Sequence, residues 1–152
     1  MKARGETIAK YAERWLASRE GNSSIRDDRS RLRDHVLPLV ADLDVATFTR
    51  DDVERVRDDL DSRIVLPPGD PRALGWKVAR EAWFVFAPMC RDMMSAKRRD
   101  LRVRTDSPAA GVAAPERGAR KAKQFLYPSE LLAFLRCPKV PLLWRRGVAV
   151  AV

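Results

Sequence analysis

Apolar residues recur at helical spacing through the first hundred positions. Ile8, Tyr11, Ala12, Trp15 and Leu16 fall at i, i+3, i+4, i+7 and i+8, one stripe on a helix of 3.6 residues per turn. Thr7 is placed to cap this helix and Gly21 to stop it, which predicts a first helix over 7–19. A second helix opens at Ser23 or Ser24, with Ser24 and Asp27 at capping-box spacing. Ile25, Leu32 and Val36 give it a thin apolar face, and Pro38 is expected to end it. Thr49 caps a third helix, whose first turns carry Asp51, Asp52 and Glu54, the sign a helix N-terminus favours. Val53, Val56, Leu60 and Ile64 form its buried stripe. Residues 66–75 hold three prolines with Gly69 and Gly75 and predict a loop.

The fourth helix, over 76–96, carries Trp76, Val78, Ala79, Ala82, Trp83, Phe86, Met89, Cys90, Met93 and Met94. A helix apolar on most sides belongs in the middle of a bundle. Pro88 inside it removes a backbone donor and predicts a kink or two shorter helices. The composition then changes. Lys97 to Lys123 holds nine basic and three acidic residues, a net +6 of the chain's +9, with Pro108 and Pro115. Such a segment buries little and reads as an exposed linker. Beyond it, Pro128, Leu131, Leu132 and Leu135 begin a further helix, broken by Pro138 and Pro141. Leu142 to Val152 opens an apolar helix that stops without a cap, so a truncated second domain is expected.

Charge then narrows the function. Thirty Lys and Arg against 21 Asp and Glu favour a polyanionic partner, nucleic acid before an anionic membrane surface. Cys90 and Cys137 are too isolated for a disulfide framework or a thiolate metal site. One histidine, His35, rules out sites that need several, and the seven glycines are scattered rather than gathered into a phosphate loop. No cofactor, metal or small-molecule substrate is expected. With no long apolar run or secretory signal, a cytoplasmic protein without membrane contact is expected.

From Ser24 to Val53 the chain resembles the tyrosine recombinase, or phage integrase, family. The residues that carry the likeness are Ser24, Leu32, His35-Val36-Leu37-Pro38, Ala41-Asp42-Leu43, Phe48-Thr49 and Asp52-Val53. Asp106-Ser107-Pro108, Gly111-Val112 and Leu126-Tyr127-Pro128-Ser129-Glu130-Leu131 extend it. Ala41 stands where a Gly is usual, and Asp28 where an aromatic is frequent. The resemblance implies an all-α fold, a small four-helix orthogonal bundle of the SAM-like core-binding type. It divides the chain into a DNA-binding domain over 1–112, a basic linker over 113–123 and the start of a catalytic domain over 124–152. It further implies DNA integration and recombination on double-stranded DNA, alongside other recombinase protomers.

Family members cut DNA with a tyrosine nucleophile assisted by arginines, a lysine and histidine or tryptophan residues. Tyr11 and Tyr127 do not match the nucleophile position, and Arg145 and Arg146 lie upstream of the first catalytic arginine. The chain by itself is therefore expected to be inert and to contribute grip. On the second helix Arg26, Arg29 and Arg33 share one sector with no acid at i±3 or i±4, whereas Asp27–Arg31 and Arg31–Asp34 are spaced to pair. An outside polyanion would relieve the trio's mutual repulsion. On the fourth helix Lys77, Arg80 and Arg91 share an edge that Lys97, Arg98 and Arg99 continue. Lys121 and Lys123, with Arg117 and Arg120, are placed for a linker crossing the phosphate backbone. Each set also admits a plainly solvated reading. Trp15, Trp76, Trp83 and Trp144 are expected in cores, with Trp76 the least settled. His35 is expected at a helix end, where the dipole favours its cation. A stand-alone basic regulator of nucleic acid and a protein-interaction bundle stay open beside the recombinase reading.

Overall fold

The hydroxyl oxygen of Thr7 accepts the backbone N–H of Lys10 at 3.4 Å and starts α1 (Ile8–Ala17). We describe residues 5–118 and 127–150 in a computed structural model, which falls into two compact units, residues 1–118 and 119–152. Every regular element among the described residues is helical; the sole β feature there is an isolated bridge between Thr7 and Asp44.

In the first unit, α1 buries Ile8, Tyr11, Ala12, Trp15 and Leu16, the stripe its spacing predicts. The α2 helix (Ile25–Arg31) does not close a capping box: Ser24 is itself helical and its hydroxyl lies 3.5 Å from Asp28 instead. Nor does Pro38 end the helical path. A π-helical turn over Leu32–Val36 leads into α3 (Leu37–Val40), and the Leu37 N–H bonds to Leu32 O, five residues back. Pro38 then sits in the first turn of α3, where its missing N–H is not required.

The α4 helix (Arg50–Ile64) opens with Asp52 accepting both the backbone N–H and the hydroxyl of Thr49, each at 2.9 Å. It buries Val53, Val56 and Leu60. The central α5 helix (Trp76–Ser95) runs unbroken through Pro88, and eight of its side chains are buried. Phe86 meets Phe48 and Trp83 edge-on, at centroid distances of 6.4 and 6.0 Å. Val78, Phe84 and Met94 are exposed, so this helix is less enclosed than its composition suggests.

The basic stretch after α5 is not an exposed strap over its described part, residues 97–118. Leu101, Pro108 and Pro115 are buried. The backbone N–H groups of Val103 and Arg104 both reach Met93 O, at 2.8 and 3.0 Å. Tyr11 donates its hydroxyl to Leu101 O at 3.0 Å. Arg104 inserts beneath the 45–48 turn and donates to Val45 O at 2.6 Å and Phe48 O at 2.7 Å, while Asp106 takes its other edge. Charge density along a segment thus misleads when its arginines donate inward and its few apolar side chains find the core.

In the second unit, α6 (Pro128–Arg136) and α7 (Leu142–Val150) are joined by Arg145, which donates to Leu135 O at 3.3 Å. The N3 residue Glu130 accepts the Tyr127 N–H at 2.8 Å. Trp144, expected in a core, is 67% exposed, and α6 buries no side chain. Among the described residues no helix is long and apolar enough to cross a membrane.

Candidate nucleic-acid interface

Helical spacing sorts the predicted cations before any partner is considered. On α5, Lys77, Arg80, Glu81, Phe84, Pro88 and Arg91 return to one side every three or four residues, opposite the buried stripe. That outward edge spans roughly 21 Å from Lys77 to Arg91 at about 1.5 Å per residue. Lys97, Arg98 and Arg99 follow the end of the helix and are exposed.

On α2 the trio does not stand unpaired as its sequence spacing implies. Arg33 is held by its neighbour Asp34, with Nε 2.7 Å from Oδ1 and Nη2 3.2 Å from Oδ2. Arg29 faces Glu20 at a loose 3.9 Å. Arg26 has no acidic partner among the described residues. Adjacent and long-range acids thus reach cations that i±3 and i±4 counting leaves alone. Arg31 pairs not with Asp27 or Asp34 but with Asp28 at 3.5 Å and Glu81 of α5 at 2.7 Å.

Those partners fix direction. Arg29 turns toward the loop after α1 and Arg31 toward α5, two positions apart and so roughly 200° round the helix. Arg29 and the α5 edge therefore lie on different sides of α2 rather than on one continuous basic face. On the α5 edge Lys77 and Arg80, and past the helix end Lys97 and Arg99, have no carboxylate partner among the described residues. Arg98 is closed onto Asp100 at 2.8 Å, and Arg91 is 3.9 Å from Asp92. Lys121 and Lys123, like Arg120, lie outside the described residues.

Aromatic rings organise the start of this strip. The Arg80 guanidinium lies 4.7 Å from the Phe84 ring centroid and 5.4 Å from that of Trp76. Arg117 lies 5.0 Å from the Trp76 centroid. Trp76 is half-buried, and its indole N–H finds no acceptor among the described residues. Phe84 is 52% exposed. This cluster was missed in the sequence, although Trp76, Arg80 and Phe84 at successive i, i+4 steps carry its signal. The Arg117 contact has no such local signal.

Other polar groups serve the body. Asp28 is 5% exposed, between Arg19 at 3.5 Å and Arg31. Trp15 donates its indole N–H to Asp92 at 2.8 Å and carries the Arg19 guanidinium 4.5 Å above its ring. Burial, above all, pushes the Tyr11 phenol well above its ordinary range, which suits a structural hydroxyl rather than a nucleophile. Cys90 is a buried free thiol whose ionisation burial suppresses.

His35 lies within the π turn rather than at a helix end. Its Nδ1 is 3.3 Å from Arg63 Nη2, in an open depression of about 450 Å³ that also holds Asp34, Asp59 and Arg72. Burial and then Arg63 hold its pKa below the ordinary 6.5, so the neutral ring is favoured, not the cation. The expected helix-dipole effect loses to burial and, after it, to a guanidinium at hydrogen-bond distance. Among the described residues, no group of three His, Cys, Asp or Glu is placed to hold a metal ion. No family model, curated protein or solved structure matches this chain.

Proposed function

We propose that this chain holds duplex DNA as the gripping part of a tyrosine recombinase, with the outward edge of α5 laid across the major groove and residues 97–99 toward the phosphates. In this reading α1, α2 with α3, α4 and α5 are the four helices of a SAM-like orthogonal bundle. The chain then works in the cytoplasm with further recombinase protomers. Strand cleavage belongs to residues other than the tyrosines of this chain.

One observation carries the reading: Lys77, Arg80, Lys97 and Arg99 stand exposed without a carboxylate partner among the described residues, in a chain otherwise laced with Arg–acid pairs. Unpaired cations keep their charge for an outside anion. The strip of roughly 21 Å exceeds the ≈12 Å width of a major groove, so its ends reach both flanking backbones. Arg26, without an acidic partner among the described residues, and the loosely paired Arg29 would add a second, weaker contact from the α2 side.

The test is a mobility-shift titration of the full chain on duplex DNA across a salt series. Lys77→Gln, Lys97→Gln and Arg99→Gln together should weaken binding on every sequence and flatten the log–log salt slope by about one per contact removed. Unaltered affinity, or binding indifferent to salt, overturns the reading. The latter result would favour a protein-interaction module, for which Leu143 and Trp144, exposed at 80% and 67%, are the supporting observation.

A further inference from the structure

We infer that Arg80 reads a base edge, a guanine in the major groove, while Lys77 and Arg91 on either side of it meet phosphate. The inference rests on the DNA reading above and assigns different work to cations that composition treats alike. Lys77 is exposed, with no ring or acid beside it among the described residues, and Arg91 is loosely paired, so both suit a diffuse phosphate. Arg80 is different. Its guanidinium carbon lies over the Phe84 ring at 4.7 Å and over the Trp76 ring at 5.4 Å, and it donates to no group among the described residues. Stacking covers the faces of a guanidinium and leaves its N–H edge open. That edge is the part that pairs bidentately with guanine O6 and N7.

The rings also lower the cost of binding. A free arginine loses rotamer freedom when it is fixed in one geometry, and a stacked one has lost part of it already. Phe84 is 52% exposed, so the ring beneath Arg80 is open to a partner approaching this face. Arg117, stacked on Trp76, further confines the ring on which Arg80 leans. Position along the strip agrees. Arg80 and Phe84 fall between Lys77 and Arg91, so with the end cations on the two backbones the stacked pair faces the groove floor.

Selection of bound sequences from a randomised duplex pool, using the full chain, tests this. The chain should enrich sites with one G·C pair that Arg80→Lys no longer distinguishes. Discrimination at that pair should drop about 5- to 150-fold, and preference elsewhere should persist. Phe84→Leu keeps an apolar exposed side chain but removes the platform, and should blur the same pair without altering thermal stability. Lys77→Gln should instead weaken all sequences alike. If Arg80→Lys also weakens all sequences alike, or if the pool shows no sequence preference, the base-reading role is overturned while DNA binding stands. If the chain retains no duplex at low salt, the DNA reading fails first and takes this role with it.

Discussion

Arg63 Nη2 approaches His35 Nδ1 to 3.3 Å, and because a guanidinium only donates, that ring nitrogen must be the unprotonated acceptor. The contact joins the π turn to the end of α4, where Arg63 also donates to Arg72 O at 3.1 Å and lies 3.4 Å from Asp59. It makes the charge state of His35 part of how the 65–74 loop is held.

A pH dependence follows with a definite sign. The folded pKa of His35 lies below the ordinary 6.5, so the unfolded chain takes up more protons in this range. Stability is then full above about pH 6.5 and declines as pH falls toward the folded value. His35→Asn, whose side-chain oxygen accepts at any pH, should flatten that slope in urea titrations between pH 7.5 and 5.5. A slope unchanged in the variant would assign it to other groups.

The Asp28 carboxylate links three helices through Arg19 after α1, Arg31 on α2 and, beyond Arg31, Glu81 on α5. Asp28→Ala leaves two cations facing a buried gap and should cost about 1–3 kcal/mol in chemical denaturation. Adding Arg31→Ala should cost less than the sum of the single changes, since the two share one network. Strict additivity would show that the carboxylate and guanidinium are uncoupled.

Arg104 has only 13% of its side chain exposed and satisfies the carbonyls of Val45 and Phe48. Arg104→Met keeps the stem but strands both acceptors, at about 2–3 kcal/mol. Protease sites within 97–118 should open first, read by limited trypsin digestion with mass spectrometry. Retained protection would mean that the buried Leu101, Pro108 and Pro115 anchor the segment unaided.

Gly5 is required by space rather than by backbone angle. A Cβ there would stand 2.8 Å from the Asp44 carboxyl carbon, and Asp44 is committed to the Ala46 N–H at 2.8 Å. Beside it Ile8 and Val45 exchange backbone bonds with Leu43 and Glu6. Gly5→Ala should push the N-terminal segment off the 43–45 turn, seen as faster amide exchange at Val45 with α4 and α5 undisturbed. Slow exchange retained at Val45 would contradict this packing account.

The sequence by itself determined the helices whose apolar stripes are regular. Residues 8–17, 50–64 and 76–95 fold as their spacing predicts because a 3.6-residue period is a local property and burial of one face is its direct consequence. The Thr7 and Thr49 caps were legible for the same reason, as was the chain's overall excess of positive charge. Tertiary structure alone decided the rest. Only packing shows that a π turn carries the chain past Pro38, or that Arg104, read as linker charge, lies under the 45–48 turn. It also sets Arg31 on Glu81, fifty residues away, and turns Arg29 to a different side from the α5 edge. A side chain's partner is chosen by distance through space, and residue spacing along one helix reports only on neighbours within a turn.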